Sequence, residues 1–201
     1  MVRTASTMMP LGTAAPPFDL PEADGGRVSL DDFRGEEHRA LLVMFICNHC
    51  PYVKHVADEI ASITNDYAER GLSSVAVMSN DYETYPDDAP EKMSQEKESR
   101  GYRFPYLIDE DQSVARAYGA ACTPDFYLFD GESRLVYRGQ MDGTRPKQDP
   151  PQTPDGSDLR SAIEAVLNRR SVPADQKPSI GCNIKWRSGG EPDYFDPAGT
   201  A

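Results

Sequence analysis

Apolar and polar positions fall in blocks along this chain, and each block predicts an element. Residues 40–46 form an uninterrupted apolar run, which fits a central strand buried on both faces. From Pro51 the period changes. Val53, Val56, Ile60, Ile63 and Tyr67 recur at spacings of three and four, the signature of a helix with one buried face, and Gly71 ends it. Pro51 suits the first helical turn, where no N–H donor is needed. Residues 74–78 read as the next buried strand, and residues 81–103 are highly charged with a weak helical pattern from about 90 to 100. An extended stretch at 104–108 precedes a short helix at 112–118, closed by Gly119. Residues 125–130 and 135–138 pair as a hairpin across the Gly131-Glu132 turn. After a Pro-rich loop at 143–157, a helix over 159–169 carries Leu159, Ile163, Val166 and Leu167 on one face.

The pattern fades at both ends. Residues 1–16 read as a flexible lead-in, 17–170 as one domain, and 171–201 as a loop-like tail rich in Pro and Gly. That tail holds the one tryptophan, Trp186, and is expected to pack on the domain rather than hang free. The order of elements gives an α/β fold: parallel crossovers in the first half, an antiparallel hairpin after them, and a central mixed sheet with helices on both faces.

Composition narrows the function classes. The 201 residues carry a formal net charge of −12, which disfavours nucleic acid and anionic membranes as partners. No run approaches the roughly 20 apolar residues of a membrane span. The N-terminal residues lack the apolar core of a signal peptide, so a cytoplasmic location is expected, where thiols are kept reduced. The four cysteines, Cys47, Cys50, Cys122 and Cys182, are too few for a disulfide scaffold in a chain of this length.

Their placement carries the chemistry. Cys47-Asn48-His49-Cys50-Pro51 sits where the buried strand turns into the helix. Two thiols at i and i+3 can close a small disulfide ring, and free N–H groups at a helix start favour a thiolate. A dithiol in this context reads as a redox site; half of a zinc site or two buried structural cysteines are the plainer alternatives. His49, between the cysteines, would as an imidazolium stabilise the Cys47 thiolate and make the disulfide more oxidising; otherwise it is a solvated loop residue. His55 and Lys54 lie one turn into the helix, and His55 reads as a surface or packed residue. Cys182 would be an extra resolving thiol if the tail folds over the site, or a packed structural residue. Arg138, Asp142 and Arg145, near the end of the hairpin, could line a pocket or simply lie on the surface.

Several segments carry a family resemblance: Ala15-Pro16-Pro17-Phe18-Asp19-Leu20, the stretch from Val28 to Gly35, Phe45 to His55 around the dithiol, Cys122-Thr123-Pro124-Asp125-Phe126, Tyr137-Arg138-Gly139-Gln140, and Ile180 to Trp186. Together they resemble the thioredoxin superfamily, and within it the alkyl hydroperoxide reductase and thiol-specific antioxidant-like redoxins. The resemblance implies a thioredoxin-like fold with Thr123-Pro124 as a cis-proline turn facing the dithiol, its backbone edge free to pair with an extended substrate. It implies Cys47 as the exposed nucleophile and Cys50 as the more buried resolving thiol. It also places Cys122 near the dithiol, as a third redox thiol, a metal ligand or a small buried hydrophobe. The chain departs from the peroxiredoxin pattern around the dithiol: no proline lies in residues 41–46, where that family has one upstream of its peroxidatic cysteine. The peroxidatic cysteine of that family corresponds to Cys50, and Cys47 stands where the family has a threonine whose hydroxyl orients peroxide.

The function expected is a thiol–disulfide oxidoreductase acting on a protein or small-molecule disulfide. It would need no bound organic cofactor and no metal, and would draw electrons from a separate thiol reductant. A thiol peroxidase is the first alternative. A metal-binding protein using Cys47, Cys50 and Cys122 with His49 or His55 is the second.

Overall fold

The computed structural model describes residues 3–196. Its strands are β1 (Arg3–Ala5), β2 (Asp19–Pro21), β3 (Arg27–Ser29), β4 (Ala40–Phe45), β5 (Leu72–Met78), β6 (Tyr106–Ile108), β7 (Cys122–Thr123), β8 (Asp125–Asp130), β9 (Leu135–Gly139) and β10 (Ile180–Asn183). Its helices are α1 (Pro51–Ala68), α2 (Pro90–Arg100), α3 (Ser113–Tyr118) and α4 (Ser157–Leu167). Among the described residues no helix is long and apolar enough to cross a membrane.

The main sheet has the order β6-β5-β4-β8-β9. β4 pairs in parallel with β5, and β5 with β6, whereas β8 lies antiparallel to both β4 and β9. The continuous apolar run of β4 follows from its central place. Leu42 and Met44, with Ile46 just beyond the strand, join the core under α1 and α4, together with Ile60, Ile63, Leu159 and Ile163. Leu41, Val43 and Phe45 point to the opposite face and pack with Tyr118, Tyr127 and Phe129. The sheet is thus covered on both sides, as expected for strands joined by helical crossovers. The helical period of α1 is realised in full, with Val53, Val56, Ile60, Ile63 and Tyr67 all buried.

The two chain ends depart from expectation in a shared way. The segment read as a flexible lead-in contains β1, and the tail read as loop-like contains β10. They pair with each other, and β10 also pairs with β7, forming a second, three-stranded sheet in the order β1-β10-β7. Strands of two to four residues with mixed burial leave no readable alternation, and their partners lie far away in sequence. The expected docking of the tail is present. Ile184 N–H donates to Ala121 O at 3.0 Å, Lys185 N–H to Asn80 Oδ1 at 2.8 Å and Arg187 N–H to Gln112 Oε1 at 2.9 Å, and Trp186 is buried. Residues 1–2 and 197–201 of the expected lead-in and tail lie outside the described residues.

Candidate active site

β4 ends at Phe45, and five residues later Cys50 caps α1, with Pro51 in the first turn. Strand and helix together fix both cysteines, and the helix start turns its unpaired N–H groups toward them. Opposite them lies the Thr123-Pro124 peptide, which is cis, as the resemblance implied. Cys47 Sγ is 3.3 Å from Thr123 Oγ1, and Cys50 Sγ donates to Thr123 O at 3.2 Å. All four cysteines are reduced in this structure.

Two expectations for the pair change. Cys47, expected to be the exposed thiol, is only 2% exposed, and Cys50 is fully buried. The negative charge also settles on the other sulfur. Burial raises the Cys47 thiol, and its hydrogen bond to Cys50 and the nearby Asp88 charge raise it further. The Cys50 thiol is lowered because the thiols of Cys182 and Cys47 both donate to its sulfur once a proton has left, with the N–H groups of Val53 and Cys182 helping against burial. While all three thiols are protonated, the Thr123 carbonyl holds the Cys50 proton. The three sulfurs therefore share their protons, with Cys50 in the middle.

His49 is anchored rather than solvated. Its Nδ1 lies 2.6 Å from Asp88 Oδ2, and its ring stacks on Tyr85 with centroids 5.7 Å apart. Asp88 is fully buried and is satisfied from four sides. Oδ1 accepts from the Asn48 and His49 N–H groups at 2.8 and 3.3 Å, and Oδ2 from Asn80 Nδ2 at 2.7 Å as well as from His49. Asp88 lies in a 3-10 turn, Pro86–Asp88, about 40 residues beyond the dithiol, and nothing in its local pattern marks it. Tyr106 was also not singled out in the sequence; its hydroxyl donates to Asn48 Oδ1 at 3.1 Å.

The remaining candidates separate. Cys182 lies directly opposite Thr123 in the β7–β10 pair and reaches the Cys50 sulfur. Cys122 faces away, with its Sγ 3.7 Å from Pro124 O, and burial and the Asp125 charge raise its thiol. Asp125 is itself buried and pushed up to about 6 by that burial; its Oδ2 accepts from Ser6 and Tyr127. Arg138, read as a pocket-lining or surface residue, is instead buried there, with Nε donating to Ser6 Oγ at 3.3 Å. Asp142 and Arg145 do line a groove beside Pro124, together with His55. His55 Nε2 is 2.9 Å from Thr144 Oγ1, and its pKa is lowered, chiefly by burial.

The expected metal set is not gathered, since Cys122 and His55 point elsewhere. The potential ligand atoms that do converge belong to Cys47, His49 and Asp88, all within 4.8 Å of one another. The four donors on Asp88 already occupy its oxygens, so a cation there would have to displace them. The backbone edge expected to hold a substrate strand is also occupied. β10 lies on it, paired to Cys122 and Thr123.

Comparison with known proteins agrees with this geometry. The AhpC/TSA family model matches residues 11–138. The peroxiredoxin-like protein Rv2521 of Mycobacterium tuberculosis is 32% identical over 117 residues, covering 58% of this chain and 68% of that protein. Peroxiredoxin Bcp of Escherichia coli is 29% identical over 134 residues, covering 66% of this chain and 80% of that one. Thiol-disulfide oxidoreductase ResA of Geobacillus thermodenitrificans is 27% identical over 148 residues, covering 73% and 77%. Among solved structures, a conserved protein from Geobacillus kaustophilus superposes with a TM-score of 0.88 at 52% identity, covering 94% of this chain and 98% of that one. A Sinorhizobium meliloti protein gives 0.88 at 48% identity, covering 92% and 100%. With a thioredoxin-like sheet, a dithiol at the start of α1 and a cis-proline turn against it, the chain belongs to the AhpC/TSA family, as a peroxiredoxin-like member of the thioredoxin superfamily.

Proposed function

We propose that the protein is a thiol–disulfide oxidoreductase working through Cys47 and Cys50. The observation that carries this reading is the contact of both sulfurs with Thr123, at 3.3 and 3.2 Å, at the start of a helix. Cys47 adjoins the partly exposed Asn48 and His49, so it is the sulfur that meets a substrate disulfide. It passes its proton to Cys50 as it attacks, and the substrate leaves as a thiol after taking up a proton. Cys50 then attacks the mixed disulfide, releasing the second substrate thiol and closing Cys47–Cys50. A separate thiol reductant reopens that disulfide; neither a metal nor an organic cofactor enters the cycle. The burial of both sulfurs favours small disulfides, or chains that can reach in past the rim, over folded surfaces.

A second reading, a thiol peroxidase, is favoured by the charge on Cys50. Its thiolate would attack peroxide, forming a sulfenic acid and releasing water. Cys47 would then condense with the sulfenic acid, releasing a second water and forming the same disulfide.

The test is turnover of oxidised glutathione and of hydrogen peroxide by the full chain, with dithiothreitol as reductant. On the first reading Cys47→Ser abolishes disulfide exchange, and Cys50→Ser accumulates a mixed disulfide visible by mass spectrometry. Full exchange activity in Cys47→Ser refutes it. Peroxide consumption that survives in Cys47→Ser but not in Cys50→Ser would establish the second reading instead.

A further inference from the structure

The cis-proline turn is already engaged by this chain itself. β10 lies antiparallel to β7, with Cys182 opposite Thr123 and Asn183 opposite Cys122. Directly opposed residues in an antiparallel pair project to the same face, and adjacent residues to opposite faces. Thr123 turns its hydroxyl to Cys47, so Cys182 must project to the dithiol side and Cys122 to the other. The contacts agree. The Cys182 and Cys50 thiols hydrogen-bond, whereas Cys122 sits against Pro124 O. Gly181 is what lets the strand lie so close: a Cβ there would collide with Thr123 O. The chain thus presents its own cysteine, on an extended strand, at the backbone edge where a substrate strand would pair.

We propose that Cys182 is a third redox thiol and that Cys50 exchanges its disulfide between Cys47 and Cys182. This deepens the dithiol reading and rests on it. The Cys47–Cys50 disulfide comes from the substrate, as above. Cys182, deprotonated, attacks the Cys50 sulfur. The Cys50–Cys182 bond forms as the Cys47–Cys50 bond breaks, and the electron pair leaves on Cys47, which takes up the proton that Cys182 lost. Nothing is oxidised or reduced overall. Attack falls on Cys50 because it is the sulfur that touches both of the others. The outcome differs from an ordinary dithiol cycle. Cys47 is free again while the protein is still oxidised, and the C-terminal segment is tied covalently to the start of α1.

The experiment maps disulfides in the full chain. The reduced protein is treated with oxidised glutathione, quenched in acid, alkylated in denaturant and digested without reduction for mass spectrometry. Wild type is expected to yield both Cys47–Cys50 and Cys50–Cys182 peptides. Cys182→Ser should keep only the Cys47–Cys50 link, Cys122→Ser both, and Cys47→Ser neither, because the substrate disulfide enters through Cys47. Circular dichroism of Cys182→Ser checks that the fold is retained, and the wild-type map requires no variant. Complete alkylation of Cys182 in both wild type and Cys122→Ser overturns the relay. In that case a Cys47–Cys50 link in wild type leaves the dithiol reading standing, whereas no link at all removes both.

Discussion

The two ends of α1 handle charge in opposite ways. At its start, Asp88 is fully buried and four donors from three residues converge on it, holding the turn between Cys47 and Cys50. Over its second half, charge stays near the surface. Arg160 of α4 bridges Glu59 and Asp66 at 2.7 and 2.9 Å, and Arg70, just past the helix, pairs with Glu164 at 2.7 Å. The buried carboxylate gains strong hydrogen bonds because water cannot compete, and the cost of losing them is correspondingly high. The partly exposed pairs gain less, because water and salt screen them. The reactive end is therefore held by a few irreplaceable contacts, and the far end by apolar packing with charges as trim.

The largest expected effect at the reactive end comes from Gly181→Ala. The added Cβ meets the Thr123 carbonyl, a backbone atom that cannot turn aside, so β10 must lift from β7. A loss of about 3 kcal/mol is expected, read as a lower Tm, together with faster alkylation of the cysteines in native buffer. An unchanged Tm would mean that β10 does not bear on the site. Asp88→Ala removes the shared acceptor of four donors, at a cost of about 3 kcal/mol that should likewise appear in thermal unfolding. Because the Asp88 charge helps to raise the Cys47 thiol, the pH profile of Cys47 alkylation should also move to lower pH.

Asp125 sharpens the comparison through pH. Burial pushes its carboxyl up to about 6 from 3.8, so the folded state holds the proton more tightly than the unfolded chain does. The stability it contributes is fully present below about pH 4 and is lost as pH rises through about 6, roughly 3 kcal/mol in all. The difference in Tm between wild type and Asp125→Asn should therefore change across that window and stay level above it. The smallest effect is expected at the far end. Arg160→Ala should cost about 1 kcal/mol or less, and less again in high salt. A larger loss there, measured by urea unfolding, would break the contrast between the two ends.

The same contrast separates what could be read in advance from what could not. The apolar run of β4 and the three-and-four spacing of α1 are local patterns, and both elements follow them. The dithiol was legible because its two residues lie three apart at the junction of those elements. Asp88, Asn80 and Tyr106 were not, because each reaches the site from a different segment through a single side chain. The anchoring of His49 was hidden for that reason: its partner is about 40 residues away. The same holds for charge. Position in the motif favoured Cys47 as the thiolate, but the thiol of Cys182, brought in by β10, shifts the charge to Cys50.

By itself, then, the sequence determined the mixed α/β sheet, the dithiol at the strand–helix junction and the docking of the tail that carries Trp186. Each is written in a short-range pattern of hydrophobicity or residue type. Only the tertiary structure decided that the tail supplies a strand, that this strand covers the cis-proline turn, and that Cys182 rather than Cys122 meets the dithiol. Those outcomes depend on antiparallel register between segments nearly 60 residues apart, and a shift of one residue would have turned the opposite face of β10, and with it a different side chain, toward Cys50.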